Sequence, residues 1–135
     1  LALAEAGLPV RDELVATALN YHRRDGAEAM SRLLAADEPP DAVFCFNDLL
    51  AVGAVRAAAE RGVRVPADVA VVGFDNVEEG AYSLPSLTTV APDKAAIARA
   101  AVDLLLKRVE DPERPPEHLR TPFSLEVRES TRGER

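Results

Sequence analysis

Three side chains that suit a polyhydroxylated ligand each follow a predicted strand: Tyr21, Asn47 and Asp75. A carboxylate accepts hydrogen bonds from two neighbouring hydroxyls, an amide both donates and accepts, and an aromatic ring covers the apolar face of a sugar or base. Ligands of parallel sheets bind beyond the carboxyl ends of the strands, which share one edge of the sheet. The spacing of these residues therefore predicts a small-molecule binding site at that edge.

Each of these residues also has a purely structural interpretation. Asp75 can be a turn residue that caps nearby backbone. Asn47 can be the N-cap of the helix that follows, worth about 1 kcal/mol, unless Asp48 caps instead and leaves Asn47 free to face the cleft. Tyr21 lies in a polar segment and can be a surface aromatic. The residues alone leave both interpretations open.

Catalytic and metal-binding patterns are missing from the sequence. There is no nucleophile elbow, no glycine-rich phosphate loop and no zinc-protease motif. His22 and His118 have no cysteine or histidine partners at ligand spacing, which argues against a metal site. Cys45 is the only cysteine and is flanked by apolar residues, as a buried thiol would be. We therefore predict neither an enzyme nor a bound cofactor.

Composition and charge bound the class of protein. The 135 residues are 47% hydrophobic and 29% charged, which is typical of a single soluble globular domain. No apolar run has the length of a membrane span, and no signal peptide is recognised. The net charge of −7 repels phosphate backbones, so this segment is not expected to bind nucleic acid itself.

The hydrophobic pattern alternates between short apolar strands and amphipathic helices. Residues 69–74 form a continuous apolar run, which predicts a central strand of a parallel sheet covered on both faces. Strands are predicted at 13–18, 42–46, 69–74, 87–90 and 124–128, and helices at 27–36, 49–61 and 93–109. This order predicts an α/β fold with a doubly wound parallel sheet.

The opening residues look like the last turns of a helix. Gly7 fits a C-cap, and Pro9 follows just beyond it. A helix this short is not stable by itself. We therefore expect this chain to be part of a longer protein.

Two sequence segments together resemble the lactose/galactose-repressor (LacI/GalR) family of bacterial transcription regulators. These are FCFNDLLAVGAVRAAAERGVRVPADVAVVGFDN at 44–76 and PSLTTV at 85–90. The resemblance extends from ALAEAGLPV at 2–10 to LEVRES at 125–130. It implies one lobe of a type I, periplasmic-binding-protein-like effector domain, with a ligand cleft between two lobes. It also implies a separate N-terminal helix-turn-helix domain that binds operator DNA.

The resemblance also assigns site residues. Asp75 and Asn47 match the family's effector-binding aspartate and asparagine, and Tyr21 matches the aromatic position that stacks on the effector. An effector-binding arginine of the family falls before Leu1. Pro92 stands where the family often has a ligand-binding glutamine, so a particular sugar is not carried over.

The resemblance divides the chain into three parts. Residues 1–92 are expected to form the C-terminal lobe, and residues 118–135 its closing strands and tail. The helix and linker at 93–117 are expected to pack on the N-terminal lobe or on a partner chain. In this fragment, the apolar stripe of that helix, which includes Ile97 and Leu104, is expected to meet a second copy or its own lobe.

The resemblance implies a cytoplasmic, dimeric regulator. A small sugar-like or nucleoside-like effector would bind in the cleft and modulate operator binding, with DNA contacted only through the helix-turn-helix domain and no membrane partner. A periplasmic sugar-binding protein of a transporter is the alternative, because it shares the fold and the cleft chemistry. The unpaired Cys45 favours the regulator.

Overall fold

A computed structural model describes residues 2–132. Residues 133–135, the end of the predicted tail, lie outside the described residues. The helices are α1 (Ala2–Glu5), α2 (Arg23–Leu33), α3 (Asp48–Glu60), α4 (Glu78–Ala81) and α5 (Lys94–Glu110). The strands are β1 (Ala42–Phe44), β2 (Ala70–Phe74), β3 (Thr88–Pro92) and β4 (Phe123–Glu126), and short 3-10 helices lie at Asp12–Leu14 and Glu129–Thr131.

The described residues form one four-stranded sheet in the order β1-β2-β3-β4. The strands β1, β2 and β3 are parallel, and β4 is antiparallel to β3. β2 is therefore a central strand, as its apolar sequence predicts. Val71 and Gly73 on one face of β2 are buried, whereas the residues of the other face are half-buried, so only one of the two predicted covers is present.

The core lies between the sheet and α3. Alanine dominates the buried face of this helix, at Ala51, Ala54, Ala57 and Ala58. These small side chains let α3 approach both β2 and α2 closely. At Gly53 the approach is closest, because a Cβ there would overlap the backbone of α2.

The predicted strand at 13–18 does not form. Its first two residues end the 3-10 helix Asp12–Leu14, and the rest of the segment is irregular. Val15 is 65% exposed, and the Thr17 carbonyl accepts a hydrogen bond from Arg32 at 2.7 Å rather than from a neighbouring strand. A strand needs a partner for its backbone groups, and the local sequence does not supply one. In the described chain, β1 is therefore an edge strand.

Helix α2 begins four residues earlier than predicted. The predicted helix at 27–36 leaves Gly26 outside it, whereas Gly26 lies buried inside α2 against the carbonyl of Leu50. Glycine serves here to let two helices touch, which outweighs its low helix propensity. The one-turn helix α4 was not predicted at all.

Helix α5 extends away from the core. Asp93 caps it by accepting a hydrogen bond from the amide of Ala96 at 2.8 Å. None of its residues, all of which are described, is buried. Leu105 and Val109 are 62% and 71% exposed. Helix α5 is thus folded and capped without a packing partner in this chain. No helix of the described part is long and apolar enough to cross a membrane.

Candidate functional site

Asp75 directly follows the central strand β2, at the carboxyl end of the parallel sheet. β1 is the parallel neighbour of β2, with Phe44 opposite Val72, so Asn47 lies at the same edge. Asp75 has a φ of 112° and Asn76 a φ of 50°, conformations that few residues other than glycine adopt. A strained turn therefore presents the Asp75 side chain at the edge where ligands of α/β sheets bind.

Asn47 is the N-cap of α3. Its side-chain oxygen accepts a hydrogen bond from the amide of Leu50 at 2.9 Å. Its amide nitrogen donates to the backbone carbonyl of Tyr21 at 3.2 Å. The structural interpretation of Asn47 is therefore correct. The amide still has one hydrogen and one lone pair for another partner.

The same hydrogen bond brings Tyr21 to this edge, although no strand precedes it. The Tyr21 side chain is 64% exposed. The chain beside it joins α2, where Arg23 pairs with Glu79 of α4 at 2.9 Å. Tyr21 therefore lies beside Asn47 with its ring open to solvent, an arrangement compatible with stacking on a ligand.

Asp48 does not cap the helix and is instead buried beneath the Asp75 turn. One of its oxygens accepts a hydrogen bond from the Thr89 hydroxyl at 2.6 Å, and the other from the amide of Val77 at 2.8 Å. Gly73 makes room for this carboxylate, because a Cβ at position 73 would overlap it. Asp48 thus joins three neighbouring elements under the candidate site: α3, β3 and the turn after β2.

The pKa of the Asp75 carboxyl is raised above its ordinary value. Partial burial is the main cause, and the nearby carboxylate of Asp48 adds to it, while the Lys94 ammonium opposes both. Lys94 also donates a hydrogen bond to the carbonyl of Asn76 at 3.4 Å. Lys94 is therefore a cationic group close to the partly buried carboxylate of Asp75.

Sequence reasoning did not identify Asp48, Lys94 or Arg128 as parts of this region. Arg128 contacts the turn through Asn76, at 2.8 Å. The sequence did contain a signal for Asp48. Two residues suited to an N-cap, Asn47 and Asp48, follow an apolar strand, and a helix needs only one of them as its cap. Nothing local marks Lys94 or Arg128, because their partners are distant in the sequence.

Other features do not compete with this edge as the candidate site. A groove of about 390 Å³ lies between α5 and residues 114–117, but Tyr21, Asn47 and Asp75 do not line it. Burial raises the pKa of the Cys45 thiol to about 12, so it is not a reactive nucleophile. Residues 2–132 contain no group of three metal-ligating side chains.

Comparison with known proteins assigns the chain to a family. Residues 1–131 match the model of the periplasmic binding protein-like domain. The transcriptional repressor PurR of Pasteurella multocida is 39% identical over 110 residues, which are 82% of this chain and 33% of the repressor. PurR of Mannheimia succiniciproducens is 42% identical over 108 residues, which are 80% of this chain and 32% of the repressor.

Solved structures give the same assignment. A LacI-family regulator from Sanguibacter keddieii superposes with a TM-score of 0.88 at 51% identity, covering 98% of this chain and 51% of that chain. The regulator CelR in complex with cellobiose superposes with a TM-score of 0.88 at 34% identity, covering 96% of this chain and 39% of that chain. A Lactobacillus casei regulator with bound sucrose superposes with a TM-score of 0.78 at 28% identity, covering 95% of this chain and 47% of that chain.

This chain spans about a third of the length of its PurR relatives and between 39% and 51% of these solved chains. The relatives are transcriptional repressors and regulators rather than enzymes, which confirms the prediction of a non-enzymatic domain. The predicted α/β fold of one type I lobe is confirmed as well. The chain belongs to the periplasmic binding protein-like domain family, among the LacI-type transcriptional regulators.

Proposed function

We propose that this lobe senses a small sugar-like or nucleoside-like effector at the edge formed by Tyr21, Asn47 and Asp75. The observation that carries the proposal is the position of Asp75, on a strained turn at the carboxyl end of β2. Asp75 would accept hydrogen bonds from ligand hydroxyls, Asn47 would donate one, and Tyr21 would cover an apolar face of the ligand. Solved relatives with bound cellobiose, sucrose and glucose support a carbohydrate.

Effector binding would act through the relative orientation of two lobes. A ligand that contacts both lobes favours the closed arrangement by its differential affinity for the two states. The resulting shift would change operator binding by a separate helix-turn-helix domain, in a cytoplasmic homodimer. The acidic charge of this lobe supports a separate DNA-binding domain, because a net charge of −7 repels a phosphate backbone.

The exposed face of α5 would be covered in the full-length protein. Leu105 and Val109 present apolar surface that this lobe leaves open. The solved relatives match nearly all of this chain, and each of them is about twice as long. We therefore propose the other lobe of the effector domain as the partner of α5, rather than a second copy of the chain.

A thermal-shift screen of the full-length protein tests the proposed site. The panel contains pentoses, hexoses, their phosphates, the disaccharides cellobiose and sucrose, and nucleosides, with the variant Asp75→Ala measured in parallel. We expect a stabilising ligand whose effect is lost in the variant. A ligand that stabilises wild type and variant equally would remove Asp75 from the site. A panel without any stabilising compound would contradict a sugar-like or nucleoside-like effector.

A further inference from the structure

The turn that carries Asp75 is unfavourable by itself. Asp75 and Asn76 are consecutive residues with positive φ, and neither is glycine. Such conformations persist only where the surrounding structure enforces them. The contacts of the turn therefore decide whether the Asp75 carboxylate is held in one direction or moves.

Three backbone amides of the turn have partners on its inner side. Asp75 donates to the carbonyl of Val90 at 3.0 Å, Asn76 to the hydroxyl of Thr89 at 3.3 Å and Val77 to Asp48 at 2.8 Å. These bonds fix the backbone of the turn to β3 and α3. None of the three involves the Asn76 side chain.

Arg128 holds the turn from another direction. One terminal nitrogen of its guanidinium donates to the Asn76 side-chain oxygen at 2.8 Å, and the other donates to the carbonyl of Leu87 at 2.8 Å. The two bonds use the fixed fork of the guanidinium, which a lysine ammonium does not reproduce. Arg128 therefore spans from the start of β3 to the left-handed residue of the turn.

The backbone of Arg128 is fixed as firmly as its side chain. Its amide donates to the Thr88 hydroxyl at 2.8 Å, and that hydroxyl lies 3.1 Å from the Arg128 carbonyl. The next 3-10 helix is anchored by Ser130, which is fully buried and donates to the carbonyl of Val71 at 2.6 Å. The guanidinium thus extends from a rigid base.

No carboxylate pairs with Arg128 among the described residues. Its two acceptors, the Asn76 side-chain oxygen on the turn and the Leu87 carbonyl before β3, are both neutral, so it is not one half of an ion pair. The side chain is half-buried and connects the segment after β4 to the turn after β2. This placement fits a residue that fixes geometry rather than one that neutralises charge.

We infer that Arg128 is a positioning residue for effector binding: by bridging Leu87 and Asn76, it holds the Asp75 turn in its left-handed conformation and orients the Asp75 carboxylate. The inference rests on the proposed function of Asp75. It also ties the ligand-binding turn mechanically to the chain segment that follows β4. A movement of that segment would therefore reorient Asp75.

Hydrogen exchange of the full-length protein tests this role without a ligand. In Arg128→Met, we expect the amides of Asp75 and Val77 to exchange roughly tenfold faster. The variant loses the hydrogen bond to Asn76, and the free energy of one hydrogen bond is enough to make local opening of the turn about tenfold more frequent. The amides of α3 should keep their protection. Arg64→Met is the matched control, since Arg64 pairs with Asp68 before the opposite end of β2. Unchanged exchange in the turn, or equal acceleration throughout the domain, would overturn the inference.

Titration with glucose, sucrose and cellobiose supplies the second readout. For whichever of these sugars binds the wild type, Arg128→Met should weaken affinity roughly five- to fiftyfold, and Arg128→Lys should restore little of it. In an Asp75→Ala background, Arg128→Met should cost no further affinity, because its effect passes through Asp75. An additive loss in the double variant would overturn the positioning role.

The failure of this inference is distinguishable from failure of the proposed function. If Asp75→Ala leaves sugar affinity unchanged, the proposed site fails, whatever Arg128 does. If Asp75→Ala weakens binding and Arg128→Met does not alter it, only the positioning role fails. If none of the three sugars binds, the exchange rates decide whether Arg128 holds the turn.

Discussion

Thr89 donates a hydrogen bond from its hydroxyl to the carboxylate of Asp48 across 2.6 Å, and both side chains are inaccessible to solvent. The pair joins β3 to the start of α3 directly beneath the Asp75 turn. Thr89 also accepts from the amide of Asn76 at 3.3 Å, so one hydroxyl serves both the carboxylate and the turn. A buried carboxylate that loses a donor keeps the full cost of its desolvation.

The Thr89 hydroxyl is expected to be essential for stability. Thr89→Val keeps the shape of the side chain but removes the donor to Asp48, and should lower the free energy of unfolding by about 2 kcal/mol. Thr89→Ser keeps the hydroxyl and should cost about 1 kcal/mol, for one lost methyl group. Urea denaturation with an unchanged m-value measures both. A loss in Thr89→Val no larger than that in Thr89→Ser would contradict an essential hydrogen bond at this position.

Asn47 allows the two roles of one residue to be separated. Asn47→Ala should lower the free energy of unfolding by about 1 kcal/mol, because the amide of Leu50 loses its cap, whereas Asn47→Ser should stay within about 0.5 kcal/mol of wild type. Both variants remove the side-chain amide and should weaken effector binding to a similar degree. Thermal denaturation and ligand titration measure the two effects. Full affinity in Asn47→Ser would leave Asn47 as a cap only.

The sequence was most informative where structure is set by local pattern. The limits of β2 and α3 agree with prediction to within one residue, because β2 is a continuous apolar segment that ends before Asp75 and α3 is an alanine-rich segment that ends just before Gly62. The strand at 13–18 was wrong because a strand also needs a partner. Gly26 was misplaced because its role, contact with α3, is tertiary.

The candidate site shows the same division. Asp75 and Asn47 became candidates because each follows an apolar run, and the carboxyl ends of parallel strands meet. Asp48 and Thr89 are 41 residues apart in sequence, and Asn76 and Arg128 are 52 apart. No periodicity reports such side-chain pairs, so the residues that support the turn became visible only in three dimensions.

The buried thiol of Cys45 predicts a dependence of stability on alkaline pH. Burial, with a contribution from the charge of Asp48, raises its pKa from 9.0 to about 12 in the folded state. The folded protein therefore keeps this proton where the unfolded chain releases it, and the contribution to stability present below pH 9.0 is lost as pH rises towards 12.

The free energy of unfolding of wild type should thus fall more steeply between about pH 9 and pH 12 than that of Cys45→Ala. Iodoacetamide at about pH 8 should label the thiol only after unfolding, because the reactive species is the thiolate. Parallel slopes for the two proteins would contradict the assignment. So would rapid labelling of the native protein.

We expect a substitution on the exposed face of α5 to change the stability of the full-length protein but not that of the 135-residue chain. Leu105 is 62% exposed in the lobe alone. If the other lobe covers it, Leu105→Ser should lower the free energy of unfolding of the full-length protein by about 1.5 to 3 kcal/mol. In the 135-residue chain, the same change should stay within about 0.5 kcal/mol, as for other surface positions.

Lys107 offers a matched control, because it lies on the same helix but on the polar side of the predicted stripe. Lys107→Ser should leave both proteins within about 0.5 kcal/mol of wild type. Sedimentation of the 135-residue chain tests whether a second copy of the chain, rather than the other lobe, packs on this face of α5. Dimerisation that Leu105→Ser abolishes, together with an unchanged stability of the full-length variant, would mean that α5 packs on a second copy and not on the other lobe.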